Sequence, residues 1–345
     1  MKRFYCSCGQ EIFFDNTICV ACGSQLGFDP LSRDIMVAVP DNGKTAPVWR
    51  SNDGRTLRGC EHRSFATLPC NWLLAADDAD DDVAQCRSCR STRTLPTLSI
   101  EGNAVRRAKL EEAKRTLFYS LLRLNLVDAE ETEQDMVFDF VEDQRINPEA
   151  KAKIAYTGHA NGVISINVIE ADDSERVRMQ EMMNERYRTV IGHLRHESGH
   201  YYWDRLIRDD KQWLARFRAA FGDESGYQEA LKHYYEQGAE PGWEGSFISA
   251  YASSHPWEDW AESWAHYLHM MATLETAASF GMVAIDAEVD SNFDALLAEW
   301  TRLTVRLNAL NRSMGMGDVY PFVLSKASGA KLAFIHERVK QNTIN

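Results

Sequence analysis

The placement of the cysteines constrains this chain more than any other feature of its sequence. All eight lie within the first 89 residues, and the rest of the 345-residue chain contains none. The amino-terminal segment MKRFYCSCGQ lacks the apolar core of a secretory signal, which favours the cytoplasm as the compartment. In a reducing compartment, clustered cysteines are more often metal ligands than disulfide partners. The sequence therefore predicts a metal-binding amino-terminal region.

The first four cysteines have the spacing of two facing zinc knuckles. Cys6 and Cys8 are followed by a glycine, and ten residues further on Cys19 and Cys22 are followed by another. Each pair can supply two thiolates to a tetrahedral Zn²⁺, and the glycine permits the tight turn that directs backbone N–H groups at sulfur. We predict a structural zinc site here, with paired redox thiols as the alternative.

The other four cysteines are spaced less regularly. Cys86 and Cys89 form a CxxC half-site, whereas nine residues separate Cys60 from Cys70, and His62 could replace either of them as a ligand. The sequence predicts a second structural zinc here; otherwise Cys60 and Cys70 are buried thiols. Zinc ribbons of this kind can bind nucleic acid, bind a protein partner or only stabilise a short segment, and the cysteine spacing does not choose between these roles.

Charge and hydropathy limit the partners that the chain can have. The 51 acidic and 38 basic side chains give a net charge of −13, which would repel nucleic acid and anionic membranes. No stretch approaches the ~20 uncharged apolar residues of a membrane span. The acidic run at 77–82 is typical of a solvated loop. We therefore expect neither nucleic acid nor a membrane as a partner.

The composition changes near residue 100, and this change predicts two domains. Residues 1–95 are rich in cysteine, glycine and proline, and we expect them to form the zinc-ribbon domain. Residues 104–340 contain apolar residues at helical spacing, as in AKLEEAKRTLFYSLLRLNL, with one β-rich stretch at 162–169. Further helical patterns cover 174–208, 210–221, 226–236, 257–271 and 291–312. The predicted fold class is α+β, with a mainly helical second domain.

The segment His196-Glu197-Ser198-Gly199-His200 matches the HExxH pattern. On a helix, His196 and His200 project from one face one turn apart, so that both imidazoles can bind one Zn²⁺. Glu197 lies beside them, where it can take a proton from a zinc-activated water and pass it to the leaving amine. Position 206 is a leucine, so the third histidine of the longer metzincin pattern is missing, and another segment must supply the third ligand.

The segment from His255 to His269 is the best source of that ligand. Pro256 can start a helix, on which Glu258 and Glu262 lie one turn apart and His266 one turn further along. We predict Glu258 as the third zinc ligand and Glu262 as the acceptor that orients a ligand imidazole, with His266 also close to the centre. The reverse assignment of the two glutamates is the alternative.

Tyr251 precedes Glu258 by seven residues. Its phenol could donate a hydrogen bond to the oxyanion of a tetrahedral intermediate, and we predict a catalytic role on that basis. The alternative is an ordinary half-buried tyrosine.

Several long segments resemble the bacterial zinc-binding metallopeptidases that carry an amino-terminal zinc-ribbon domain. The matching segments are CSCG with CVACG, CNWLL, CRSCR, TGHANGVISINVIEADDSER, RTVIGHLRHESGHYYWDRL, SAYASSHPWEDWAESWAHYLH and LNRSMGMGDVYPFVLS. This resemblance implies a zincin-like α+β peptidase of the gluzincin type, with His196, His200 and a downstream glutamate on zinc and Glu197 catalytic. SAYASSHPWEDWAESWAHY also resembles the Tyr–Glu helix of anthrax lethal factor-like zincins, which supports Tyr251 and Glu258.

The predicted function is therefore zinc-dependent hydrolysis of peptide bonds in a peptide or protein substrate, with one catalytic and one or two structural zinc ions. The strand at 163–169 could pair with an extended substrate, or it could be an interior strand. Two other functions remain open. The chain could be a zinc-ribbon adaptor whose zincin domain only binds, or it could hydrolyse an amide other than a peptide.

Overall fold

The computed structural model describes residues 1–39, 47–64, 69–75, 85–129, 136–182, 185, 187–285, 287 and 292–342. The acidic run at 77–82 lies outside these residues. The chain divides into two compact units. Unit 1 comprises 1–155 and 167–171, and unit 2 comprises 156–166 and 172–345.

Unit 1 begins with β-structure. The short strands β1 (Phe4–Tyr5) and β2 (Glu11–Ile12) form a hairpin, and five antiparallel strands follow in sequential order. These are β3 (Leu26–Asp29), β4 (Asp34–Val39), β5 (Val48–Arg50), β6 (Thr56–Gly59) and β7 (Leu73–Ala75). Met36, Trp49, Leu57 and Leu73 form the apolar core of this sheet. Because Trp49 is fully buried, the sheet has a hydrophobic core of its own besides the cysteine sites.

The remainder of unit 1 is mixed. It contains the helical turn α1 (Arg87–Arg90), strand β8 (Thr92–Thr94), helix α2 (Asn103–Arg123) and strand β9 (Val137–Val141), which pairs in parallel with β8. Phe118 and Tyr119 of α2 pack against Trp72, Phe14 and Phe28 from the cysteine-rich part of the chain. Because of this aromatic packing, unit 1 continues beyond the composition change near residue 100.

Unit 2 opens with a hairpin, and its other described regular elements are helices. Strands β10 (Gly158–Ala160) and β11 (Val163–Asn167) pair through a two-residue turn in which Asn161 and Gly162 have φ of 51° and 80°. Positive φ at both positions matches a type I′ turn, which accepts asparagine followed by glycine. The helices are α3 (Asp173–Met182), α4 (Val190–Trp203), α5 (Lys211–Ala220), α6 (Tyr227–Gln237), α7 (Pro256–Ser279), α8 (Phe293–Ser313) and α9 (Lys326–Asn342).

The α+β prediction is confirmed, but several predicted boundaries are wrong. The pattern at 174–208 is not one helix, because Thr189 is extended and its side chain caps α4 by accepting from the Gly192 N–H at 3.0 Å. The strand at 163–169 ends at Asn167, and a 3₁₀ turn occupies Val168–Ala171. Helix α7 runs eight residues beyond its predicted end, and α9 was not predicted.

Helices α4 and α7 pack closely, and this contact positions the predicted catalytic residues. A Cβ atom on Gly199 would lie 2.9 Å from the Cα of Ala261, so only glycine permits this approach. The indole of Trp260 donates to the Gly199 carbonyl at 2.8 Å, and the indole of Trp264 donates to the Ser198 hydroxyl at 3.1 Å. These two hydrogen bonds from the indoles of α7 to acceptors on α4 therefore fix the register of one helix against the other.

Among the described residues, no helix is both long enough and apolar enough to cross a bilayer.

Candidate metal centres

The first four cysteines converge at the β1–β2 hairpin and the loop that follows it. Their Sγ atoms lie within 4.8 Å of one another, with Cys6–Cys22 at 3.6 Å and Cys8–Cys19 at 3.8 Å. Cys6 and Cys19 are buried, whereas Cys8 and Cys22 are exposed. Gly9 and Gly23 have φ of 86° and 74°, so they supply the left-handed turn after each pair.

The second set consists of Cys60, Cys70, Cys86 and Cys89, and all four are buried. Their Sγ atoms also lie within 4.8 Å of one another, and the Cys70–Cys86 distance is 3.6 Å. The backbone N–H of Cys86 donates to the sulfur of Cys60 at 3.3 Å. His62 is not part of this group of ligand atoms, so four cysteines form the second set without it.

Both sets have the geometry of zinc sites. A tetrahedral Zn²⁺ with Zn–S distances of ~2.3 Å places its sulfurs roughly 3.8 Å apart, close to the distances in both sets. All eight cysteines are free, and the shortest of these Sγ–Sγ distances, 3.6 Å, is far beyond an S–S bond of about 2.05 Å. Metal coordination therefore explains the arrangement and disulfides do not.

The second set has a buried cation beside it. Arg115 on α2 is 2% exposed. Burial disfavours its charge, but the neighbouring Cys70, Asp15 and Cys89 outweigh this and raise the pKa of its guanidinium. A zinc ion with four thiolates carries a net negative charge, so a cation held in the protein interior suits this site.

The third group of ligand atoms lies in unit 2 and joins α4 to α7. The Nε2 atoms of His196 and His200 lie 3.0 and 3.4 Å from one oxygen, Oε2, of Glu258. Zinc bonds of ~2.0–2.1 Å to nitrogen and oxygen would place tetrahedral ligand atoms roughly 3.3 Å apart. The three side chains therefore fit a zinc ion, and the reason is the helical spacing of the histidines together with the close approach of the two helices.

Glu262 occupies a different position from Glu258. Its Oε1 atom lies 2.7 Å from His196 Nδ1, and its Oε2 atom accepts from the Ser249 hydroxyl at 2.6 Å. Burial opposes ionisation of Glu262, but its hydrogen bonds with His196 and Ser249 and the nearby His196 and His266 outweigh this and lower the pKa of its carboxyl. A charged Glu262 accepting from His196 Nδ1 leaves Nε2 of that imidazole free to bind a metal.

Glu197 is 7% exposed, and its Oε2 atom has no hydrogen-bond partner among the described residues. Burial raises the pKa of its carboxyl, while the neighbouring His196 and His200 lower it to a smaller extent. A buried carboxylate oxygen without a partner costs free energy, so this atom is suited to accept a proton or hydrogen bond from a bound molecule.

Two tyrosines lie close to the three ligand residues. Tyr251, in a 3₁₀ turn before α7, has its ring 5.9 Å from the ring of His196. Burial, with Glu258 as the next cause, raises the pKa of its phenol well above the usual value. Tyr227, at the start of α6, donates its hydroxyl to Glu258 Oε1 at 2.5 Å. Both phenols are therefore protonated donors near neutral pH.

His266 is not drawn into the ligand group. Its Nδ1 atom lies 2.7 Å from the Tyr320 hydroxyl, and its ring packs edge-on against Phe322. Burial is the largest influence on His266, and it lowers the pKa of this imidazole to about 4. His266 is therefore neutral near pH 7. Among the described residues it makes no hydrogen bond to His196 or His200.

Three residues of this region were not predicted from the sequence. Tyr227 and Ser249 contact the two glutamates, and the ring of His159 on β10 stacks 6.4 Å from the ring of His200. Ser249 is the first residue of the SAYASSH segment, but its hydroxyl was not singled out there. Tyr227 and His159 lie 31 and 41 residues from the side chains they approach, Glu258 and His200. No local spacing rule connects them.

Comparison with known proteins gives two family matches. The profile described as "Putative zinc-binding metallo-peptidase" matches residues 103–338, and that of a zinc-ribbon domain matches residues 3–100. Uncharacterized proteins of Mycobacterium bovis and Mycobacterium tuberculosis are 37% identical to this chain over an alignment of 350 positions, which covers 99% of this chain and 96% of each relative. No solved structure matches the chain.

Proposed function

This chain belongs to the family described as "Putative zinc-binding metallo-peptidase", which here carries an amino-terminal zinc-ribbon domain, and on that premise we propose that it hydrolyses peptide bonds. One observation carries the proposal. The Nε2 atoms of His196 and His200 face the same oxygen of Glu258, and the buried Glu197 follows His196 in the sequence and has one oxygen without a hydrogen-bond partner in the described part of the chain. This is a metal-binding triad with a general base beside it.

The roles of the residues follow from their contacts. His196, His200 and Glu258 would hold the catalytic zinc, which when bound would polarise a peptide carbonyl and lower the pKa of a water molecule. Glu197 would accept a proton from the attacking water at Oε2 and transfer it to the nitrogen of the leaving amine. Tyr251 would donate its phenolic hydrogen to the carbonyl oxygen as charge develops there.

Glu262 would orient a ligand rather than bind the metal. Its Oε1 atom accepts from His196 Nδ1, which fixes the tautomer that presents Nε2 to the zinc. Ser249 holds the other oxygen of Glu262 and so limits rotation of the carboxylate. These contacts favour Glu258 over Glu262 as the third ligand.

We also propose that the substrate peptide runs along β10 rather than β11. Strand β10 packs against α4, and its His159 stacks with His200, whereas β11 lies on the other side of the hairpin. An extended peptide that adds to the edge of β10 would gain main-chain hydrogen bonds beside the triad. The substrate is thus a peptide or an extended segment of a protein.

We place the reaction in the cytoplasm, because eight metal-ligating thiols require a reducing compartment. The zinc-ribbon domain would stabilise the amino-terminal region through its two four-cysteine sites and could present a surface to a protein partner. We propose domain limits of 1–95 and 104–340. The two compact units of the structure have different limits.

Replacement of the general base tests the proposed function. The Glu197→Gln variant should keep its zinc, because Glu197 is not a ligand, and should lose about 10²–10⁴-fold in cleavage rate. The measurement is digestion of a peptide library followed by mass spectrometry, with zinc counted by elemental analysis. Glu181→Gln, an exposed glutamate on α3, is the matched control. Cleavage by Glu197→Gln at the wild-type rate would contradict the assignment.

A further inference from the structure

Glu258 is held at both of its oxygens, and the two oxygens have different neighbours. Oε2 faces the Nε2 atoms of His196 and His200, whereas Oε1 accepts from the Tyr227 hydroxyl. Glu258 is 1% exposed, so its carboxylate is shielded from bulk solvent. The two sides of this carboxylate are therefore distinguished by the protein itself.

Tyr227 is fixed by its surroundings as well as by that hydrogen bond. It is the first residue of α6, directly after Gly226, whose φ of 75° turns the chain into the helix. Its ring packs edge-on against the rings of His255 and Trp257, with centroids 5.0 and 5.2 Å away. Trp257 in turn contacts His200, with ring centroids 4.1 Å apart. The phenol thus belongs to an aromatic wall on one side of the triad.

We propose that Tyr227 is a positioning residue that makes Glu258 a ligand through one oxygen only. The inference rests on the proposed zinc site at His196, His200 and Glu258. With Oε1 engaged by the phenol, the carboxylate is held with Oε2 directed at the Nε2 atoms of His196 and His200, where the zinc would bind. Without the phenol, Glu258 is free to rotate, so that neither oxygen is held toward the two histidines and zinc binding is weakened.

The same hydrogen bond separates the tasks of the two tyrosines. The hydroxyl hydrogen of Tyr227 is directed at Glu258, so it is not available to a substrate carbonyl. Among the described residues no hydrogen bond joins Tyr251 to Glu258, and the ring of Tyr251 lies beside that of His196 instead. Tyr227 acts through a ligand, and Tyr251 acts on the substrate.

The Tyr227→Phe variant tests this assignment, because it keeps the aromatic ring and removes only the hydroxyl. Loss of a partner that orients a ligand lowers metal affinity by about 10–100-fold. We expect a shift of that size in the free zinc concentration that half-fills the His/Glu site of the full-length protein. The measurement is zinc per chain by elemental analysis in zinc buffers, with Glu258→Gln as the baseline that lacks this site.

A second measurement distinguishes positioning from a general loss of structure. In Tyr227→Phe, high free zinc should restore most of the cleavage rate, because the ligands and Glu197 are intact. In Tyr251→Phe, zinc affinity should stay at the wild-type value and added zinc should not restore cleavage. Tyr234→Phe is the matched control, since Tyr234 lies on the same helix and has no hydrogen bond to Glu258 among those described for these residues.

The proposal is overturned if Tyr227→Phe fills the His/Glu site at the same free zinc concentration as the wild type. It is also overturned if Tyr234→Phe weakens zinc binding equally, because the effect would then belong to α6 as a whole. Zinc affinity is measured without any substrate. Failure of this proposal is therefore distinguishable from failure of the proposed peptidase activity, which Glu197→Gln tests separately.

Discussion

The four-cysteine sites of unit 1 and the His/Glu centre of unit 2 are assembled in opposite ways. Each cysteine site takes its ligands from at most 30 consecutive residues, and in the first site short turns bring the two pairs together. The His/Glu centre takes two ligands from α4 and the third from α7, 58 residues beyond His200. The cysteine ligands are local, and the ligand atoms of the His/Glu centre depend on helix packing.

This difference predicts different roles for the zinc ions of the two units. The strands of unit 1 are short and the core of their sheet is small, so zinc is expected to add much of the stability there and its binding to be coupled to folding. The α4–α7 contact is held by buried indoles and by the close approach at Gly199, so the His/Glu centre can exist before the metal arrives. Zinc should therefore be structural in unit 1 and replaceable in unit 2.

The largest expected effect comes from breaking the buried cysteine site. Cys86 is fully buried, whereas Cys8 is exposed, and serine in place of Cys86 would leave buried thiolates without their metal. We expect Cys86→Ser to lose one zinc and to unfold unit 1, since structural zinc contributes on the order of 10 kcal/mol. Denaturant unfolding together with the zinc count measures this.

Cys8→Ser is the matched comparison for Cys86→Ser. It also removes one thiolate, but water can reach the exposed site and replace the lost ligand. Its destabilisation should be clearly smaller. Equal destabilisation by the two substitutions would show that burial does not distinguish the two cysteine sites.

An intermediate effect is expected at the α4–α7 contact. In Gly199→Ala the added methyl group would collide with the backbone of Ala261, and overpacking of this kind costs about 1–3 kcal/mol. Because α7 carries Glu258, zinc affinity at the His/Glu centre should fall while both cysteine sites stay filled. Gly245→Ala is the control, since a Cβ at Gly245 meets nothing within 4 Å. Unchanged zinc affinity in Gly199→Ala would contradict the dependence on packing.

The smallest expected effect concerns the rate at which a chelator removes zinc from each site. A chelator should remove zinc from the His/Glu centre and from the site with exposed Cys8 and Cys22 before it removes zinc from the buried set, because a competing ligand must reach the metal. Zinc release can be followed with a colorimetric indicator. Alkylation of the released thiols, mapped by mass spectrometry, identifies the site. The expected order of release would be contradicted if zinc left the buried set first, that is, the site of Cys60, Cys70, Cys86 and Cys89.

The features that could be predicted from the sequence are those encoded by short spacing. The family resemblance, the α+β fold class, both four-cysteine sets and the pairing of two histidines with a downstream glutamate were predicted in this way, and the family and the fold class are confirmed. Threonine is a common helix N-cap residue, so Thr189 could have indicated that a new helix begins within the pattern at 174–208. The apolar residues Leu332, Ile335 and Val339 could have indicated α9.

Tyr227 and His159 could not have been predicted by such rules. Each reaches the triad because tertiary packing brings α6 or β10 to it, and a single tyrosine or histidine in those elements has no distinctive spacing. The choice between Glu258 and Glu262 was also open in the sequence, because both lie on the same face of one helix. Only the distances to Nε2 and Nδ1 of His196 separate them.

The indole hydrogen bonds between α4 and α7 have a consequence for how this protein can change in evolution. Glu258 and Glu262 lie one helical turn apart, so a slip of α7 by about 5.4 Å would bring the wrong carboxylate to the histidines. The bonds from Trp260 to Gly199 and from Trp264 to Ser198 prevent that slip. Insertions between the two helices can therefore be tolerated, whereas one residue added within either paired segment would rotate the following part of the helix by about 100° and turn its ligand or indole side chains away from their partners.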